Sequence, residues 1–190
     1  MNNKFSLEEE ILTCQNRTET LKDYLFPFIQ NKEEIDELIL MLKKVKITFV
    51  KLFCAVYTFR KIKEIYCFKT FNENVSKFTI NKINYELIQN KQLVFIVCVI
   101  LAHKSFDDNF INLSIWSKIS KYSKNNLFLG EYVIIKLLNF NFTPKKEEFL
   151  EVKCDFCLKF NYFEIKYEGN LLKEKLKTYF IKMFSCFGNE

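Results

Sequence analysis

Few side chains in this sequence have the types and spacing that an active site needs. The chain has a single histidine, His103, and no Gly-rich phosphate-binding loop. With one histidine placed at the edge of an apolar run, neither a Ser/His/Asp nor a Cys/His arrangement is plausible. Asp107 and Asp108 are adjacent acids in a predicted turn, and they are expected to cap the following helix or to meet basic residues of a partner. The sequence therefore predicts a protein that is not an enzyme.

Seven cysteines include one closely spaced pair, Cys154 and Cys157. Structural zinc needs four ligands, and the sequence has neither a second CxxC pair nor paired histidines. A thioredoxin-like redox pair would need a surrounding βαβ pattern, which is missing. We therefore expect no metal and no cofactor. Cys54 and Cys98 stand inside apolar runs and are predicted to be small core residues.

The formal charge of +6 is modest, and lysines carry most of it: Arg17 and Arg60 are the only arginines among 29 basic residues. Arginine supplies the planar fork that reads guanine and clamps phosphate, whereas lysine is a flexible point charge. The lysines also lie among glutamates. Nucleic-acid binding is therefore disfavoured, although the excess of positive charge keeps it open. The polar, acidic N-terminus does not resemble a signal peptide, so we expect an intracellular protein, in the nucleus, the cytoplasm or both.

Three glycines and two prolines in 190 residues are too few for an all-β protein, which needs many turns. The sequence predicts an all-α fold of about seven helices with polar connections. A capping pattern at Ser6–Glu9 is expected to open a first helix that breaks at Pro27. The further expected elements are a helix starting at Asn31, a helix over 47–64, a loop over 65–88 with room for one short helix, helices starting at Asn112 and at Ser123, and helices after Pro144.

Leu93–Ala102 is a run of ten apolar residues that ends on His103 and Lys104. Ten helical residues span about 15 Å, half of the roughly 30 Å hydrocarbon core of a bilayer, so no membrane partner is expected. A helix that is apolar on all sides is buried among other helices. The run therefore predicts a core helix from about Gln89 to Lys104.

Glu131 is a carboxylate in an unexpected place. On a helix that starts at Leu127, Ile134 and Leu138 fall within about 20° of that leucine, and Glu131 lies at about 40°, inside the apolar stripe. A carboxylate there is costly unless it is paired or lies at the rim of an interface. Two interpretations stay open: a glutamate bonded to a nearby lysine, or a charge placed to meet a partner together with Lys104.

An ordered set of motifs resembles the cyclin box over about residues 33–150. The set comprises AVYTFRKI with Tyr57 and Arg60, then LAHKSFDDN, SIWSKIS, and a glutamate-bearing helix that closes with LLNFNF. The family's third helix ends in a Leu-Ala-x-Lys pattern followed by an aromatic residue, here displaced by one to Phe106. The resemblance is to single-box cyclins of the fungal phosphate-signalling group and their relatives.

The resemblance implies a cyclin-box five-helix bundle over 31–144, with an accessory helix over 1–30 and accessory helices over 145–190. It implies a regulatory subunit that binds a cyclin-dependent kinase in the cell cycle or a related pathway. Lys104 and Glu131 match the pair that contacts the kinase around its regulatory helix. Phe106 and Leu138 are the apolar residues expected beside them. The apolar first-helix motif that docks substrate peptides in cell-cycle cyclins has no clear counterpart in IDELILMLKK. Trp116 is expected to fill the core.

Two other functions remain open at this point. One is a nucleic-acid-binding version of the same fold, as in general transcription factors of the B type, which usually have two repeats and a basic DNA-facing surface. The other is a helical scaffold with no kinase partner, in which Lys104 and Glu131 are ordinary surface charges.

Overall fold

The computed structural model describes residue 12 and the ranges 15–71, 87–107, 111–138 and 146–160. These ranges are helical apart from short connections, which confirms the all-α class. The helices of eight or more residues within them are α1 (Gln15–Ile29), α2 (Lys32–Lys44), α3 (Phe49–Phe71), α4 (Lys91–Phe106), α5 (Leu113–Ser120), α6 (Lys124–Leu137) and α7 (Lys146–Phe160). The capping pattern at residues 6–9 lies outside the described residues. No helix within the described ranges has the length and apolar character needed to cross a bilayer.

Helix α4 is the centre of the bundle. Every residue from Gln92 to His103 is buried, so the helix has no solvent-facing side over three turns. Helix α3 packs along it most extensively, α6 lies on another side, and α1 and α2 also contact it. The prediction of a core helix in this segment is confirmed, with both ends about two residues later than expected.

Side-chain caps fix where several helices begin. Asn31 Oδ1 accepts hydrogen bonds from the backbone N–H groups of Glu33 and Glu34, and it opens α2 as expected. Asn112 opens α5 by accepting from the third residue after it, and Ser123 opens α6 in the same way. Because these short polar side chains satisfy N–H groups that the helix leaves unpaired, local sequence sets these boundaries.

Two expected boundaries are wrong. Pro27 lies inside α1 and does not break it. Proline costs a helix about 3 kcal/mol or more, but Leu25 and Ile29 on either side of it are buried and hold the last turn in place. Helix α3 does not end at residue 64 but continues to Phe71, because no glycine or proline interrupts it.

Helices α4 and α6 approach each other closely at Gly130. A Cβ atom added to this glycine would lie 2.8 Å from Cγ2 of Val97, closer than real side chains come. The missing side chain therefore lets the α6 backbone rest against the fully buried Val97. This contact sets the spacing of the two helices that carry the predicted site.

Helices α1 and α7 meet on α3 through an aromatic cluster. The ring of Phe156 is fully buried, and its centroid lies 5.5 Å from that of Tyr24 and 5.6 Å from that of Phe53, both with rings edge to face. Oδ2 of Asp155 accepts a hydrogen bond from the Tyr24 hydroxyl at 3.2 Å and forms an ion pair with the Arg60 guanidinium at 3.1 Å. The two ends of the described chain are thus joined on one face of the bundle.

Candidate partner-binding site

The structure brings together the lysine and the glutamate that the sequence singled out. Lys104 lies in the last turn of α4, and Glu131 lies in the middle of α6. The Lys104 ammonium donates to Oε2 of Glu131 at 2.9 Å and lies 2.6 Å from Oε1. Both carboxylate oxygens therefore face the ammonium, and the pair joins the end of the central helix to its neighbour.

This ion pair is almost fully covered by protein. The side chains of Lys104 and Glu131 are 7% and 2% exposed. Removing two ions from water costs free energy, and their mutual attraction offsets this cost only when the ions are close and well oriented. Both interpretations require a lysine beside Glu131, and the pairing with Lys104 explains why a charge stands in an apolar stripe.

Phe106 and Leu138 flank this pair differently. Phe106 is the last residue of α4 and is half-buried. Leu138 ends α6 and is only 4% exposed, so it packs into the core of the free chain. Partner contact by these two residues stays a prediction, and of the two Phe106 has more accessible surface.

A second charged group at the same end of α4 was missed by the sequence reasoning. Asp107 follows Phe106 as the C-terminal cap of α4. Its Oδ2 atom accepts a hydrogen bond from the Lys51 ammonium of α3 at 2.7 Å and lies 3.0 Å from Nδ1 of His103. The expectation that Asp107 caps the next helix is wrong, since Asn112 does so. Asp108 lies outside the described residues. The signal available in the sequence was the spacing of four between histidine and aspartate, which places them on one helix face.

The surroundings of this group lower the pKa values of both His103 and Asp107. Burial lowers the pKa of His103, and the Lys51 charge lowers it further, whereas the hydrogen bond that His103 donates to Asp107 acts in the opposite direction. Burial by itself would raise the pKa of Asp107, but hydrogen bonds from Lys51 and His103 outweigh burial and lower it. The charge state favoured near neutral pH is therefore a neutral imidazole beside an ionised carboxylate.

Trp116 of α5 packs against this group from the other side. It is fully buried, as expected, and its ring centroid lies 5.3 Å from that of His103, edge to face. Neither Nε1 of Trp116 nor Nε2 of His103 has a hydrogen-bond partner among the described residues.

The CxxC pair does not form a metal site in the part of the chain that the structure describes. Cys154 is exposed and Cys157 is buried on α7, and both are free thiols. Burial raises the pKa of Cys157 to about 11, so this thiol is a poor nucleophile at neutral pH. Within the described ranges no three His, Cys, Asp or Glu side chains come together as metal ligands. Cys98 is a core residue, as expected, and Cys54 is partly buried.

Comparison with known proteins adds no relative. No protein-family model matches the chain, and neither the curated proteins nor the solved structures contain a match to it.

Proposed function

We propose that this protein is a cyclin-like regulatory subunit that binds and activates a cyclin-dependent protein kinase. The observation that carries the proposal is the buried ion pair between Lys104 and Glu131. It joins α4 and α6 within the segment that resembles the cyclin box, at the two positions where the family's kinase-contacting pair is expected.

The helix order supports the proposal. Among the described residues between 32 and 137, the helices of eight or more residues are the five from α2 to α6, and the third of these, α4, is central and buried. The Leu-Ala-x-Lys pattern ends this central helix, and the glutamate lies in the fifth helix. Helix α1 precedes these five helices and α7 follows them, as the accessory helices of the resemblance would.

The burial of the pair gives it a specific role in the proposal. A nearly covered ion pair holds the end of α4 against α6 and so fixes the shape of the edge that meets the kinase. Lys104 and the half-buried Phe106 lie at that edge. The kinase contact would thus be made at the rim of the pair, through the small exposed part of Lys104 and through Phe106.

The mechanism follows from what kinase catalysis requires. The kinase's own lysine–glutamate pair must be assembled and its regulatory helix swung inward. A subunit that binds the swung-in state more tightly shifts the population toward it by its difference in affinity for the two states. The proposed activity therefore needs no catalytic residue in this chain.

The test is affinity capture from native lysate, with mass spectrometry of the bound proteins. The wild type is compared with the double reversal Lys104→Glu/Glu131→Lys, which keeps an internal ion pair but inverts its polarity toward a partner. Reversal of the exposed pair Lys121–Glu37, as Lys121→Glu/Glu37→Lys, is the matched control, because it also keeps an ion pair and leaves the net charge unchanged. Circular dichroism and thermal melting establish that each variant is folded.

We expect a cyclin-dependent kinase with the wild type and with Lys121→Glu/Glu37→Lys, and its loss with the folded reversal of Lys104 and Glu131. The purified kinase should then phosphorylate a model substrate only when the wild-type chain is added. Equal capture by the double reversal would remove the pair from the interface. Absence of a kinase with folded wild type would contradict the proposal, and salt-sensitive retention on DNA would then favour the nucleic-acid alternative.

A further inference from the structure

We propose that His103, Asp107 and Lys51 form a proton-sensitive latch, which joins α3, α4 and α5 while the histidine is neutral and loosens when the imidazole takes up a proton. This inference is independent of the proposed kinase partner, because it depends on contacts within the chain.

The closed state is defined by one shared carboxylate oxygen. Oδ2 of Asp107 accepts a hydrogen bond from the Lys51 ammonium at 2.7 Å and lies 3.0 Å from Nδ1 of His103. An ionised carboxylate only accepts hydrogen bonds, so Nδ1 must carry the hydrogen and donate it. In the neutral ring, Nε2 then has a lone pair and no hydrogen.

Protonation places a hydrogen on this Nε2 atom. The atom is buried and has no hydrogen-bond partner among the described residues, and the ring lies edge to face with Trp116 of α5. A buried donor without an acceptor is costly, and a buried charge more so. The added proton therefore acts against the packing of α5 on the end of α4.

The charged groups that face His103 do not offset the free-energy cost of protonating its buried ring. Lys51 of α3 is a cation, Asp107 at the end of α4 is an anion, and Trp116 of α5 is uncharged. One carboxylate would have to neutralise two cations after protonation. Repulsion between Lys51 and the imidazolium then opposes the contact that joins α3 to α4.

The direction of the pH dependence follows from these contacts. Burial and Lys51 lower the pKa of His103 below its ordinary value of 6.5, although Asp107 acts against them. The unfolded chain therefore takes up the proton first. The contribution of the neutral histidine to stability is complete above about pH 6.5 and declines as the pH falls through that value.

Composition makes the latch testable without ambiguity, because the chain has one histidine and one tryptophan. The imidazole proton signals in an NMR titration of the intact chain report His103 alone, and fluorescence reports Trp116 alone. We expect the histidine to titrate with a midpoint below 6.5, and the fluorescence of Trp116 to change over the same pH range.

Three variants separate a latch from an ordinary core histidine. Lys51→Met removes the repelling cation and should raise the histidine midpoint, whereas Asp107→Asn removes the attracting anion and should lower it. Lys121→Met is the matched control, because that lysine is 77% exposed and pairs with Glu37 of α2 rather than with the latch. It should leave the midpoint unchanged.

The stability test compares denaturant midpoints at pH 7.5 and pH 5.5. The His103→Asn amide can still donate to Asp107 but cannot take up a proton. Below pH 6.5 the unfolding equilibrium constant of the wild type should rise relative to this variant, by up to tenfold per pH unit, since one proton is linked to unfolding.

A histidine midpoint at or above 6.5, or the same midpoint in Lys51→Met and Asp107→Asn, would overturn the latch. Equal losses of stability in the wild type and in a folded His103→Asn would overturn it too. If His103→Asn does not fold, the titrations of the wild type and of the two charge variants decide the question.

Discussion

Replacing Lys104 with methionine tests whether the ion pair with Glu131 holds the core together. Methionine keeps most of the unbranched side chain, so the change removes the charge with little loss of packing. The carboxylate of Glu131, 2% exposed, would then lose the ammonium that faces both of its oxygens. The perturbation therefore measures what the buried carboxylate loses when the ammonium of Lys104 is removed.

The expected loss is large on the scale of a domain's stability. Removing one partner of a buried ion pair costs about 3–5 kcal/mol, and domains are stable by only about 5–15 kcal/mol. A volume-conserving change by itself would cost less than about 1.5 kcal/mol. Lys104→Met should therefore lower the free energy of unfolding by about 3–5 kcal/mol, mostly through the charge.

The assay is urea denaturation at pH 7, followed by circular dichroism and by the fluorescence of Trp116. Lys121→Met is the matched control, because this lysine pairs with Glu37 at the same kind of distance but with side chains 77% and 52% exposed. Exposed pairs contribute about 0.2–1 kcal/mol. The two Lys→Met variants should therefore differ several-fold in the stability they lose.

A third variant distinguishes the charge from the shape of the site. Lys104→Met/Glu131→Leu leaves no buried charge, and well-packed apolar replacements of a buried pair are often neutral or more stable. It should recover most of the stability that Lys104→Met loses. A loss in Lys104→Met no greater than in Lys121→Met, or a double variant less stable than the single one, would refute the reasoning.

Three further predictions concern other contacts. Gly130→Ala gains about 0.5–1 kcal/mol of helix propensity but forces Val97 to move, at a cost of about 1–3 kcal/mol, so thermal melting should show a net loss of stability. Tyr24→Phe removes one hydrogen bond to Asp155 and should lower the unfolding free energy by about 0.5–1.5 kcal/mol in urea titration, with little change in the dichroism of the folded state. Because the pKa of Asp107 is lowered, its ionised form stabilises the fold above its ordinary value of 3.8. The advantage of the wild type over Asp107→Asn in denaturant should therefore shrink between pH 5 and pH 3, and a constant difference would contradict this.

Local sequence was sufficient to predict features that depend on near neighbours. The caps Asn31, Asn112 and Ser123 act within three residues, and each was found where its side chain could reach a free backbone N–H. Periodicity also placed Glu131 in an apolar stripe, and the all-apolar run identified α4 as the core. Each of these features depends only on residues that are close together in the sequence.

Other features depend on contacts that no local pattern records. Pro27 remains helical because buried residues around it belong to a core made by other helices. Asp107 meets Lys51, which is 56 positions away in the chain. The burial of Leu138 in the free chain depends on how α6 packs, which no local pattern records, and its contact with a partner stays a prediction.

The contact between α1 and α7 has a consequence for the order in which the chain assembles. Tyr24 and Asp155 are 131 positions apart, so their hydrogen bond closes a loop that spans most of the protein. During synthesis from the N-terminus, the ring of Tyr24 cannot pack on Phe156 until almost the whole described chain has left the ribosome. Helix α1 can therefore dock on α7 only late in synthesis, after the residues between them have been made.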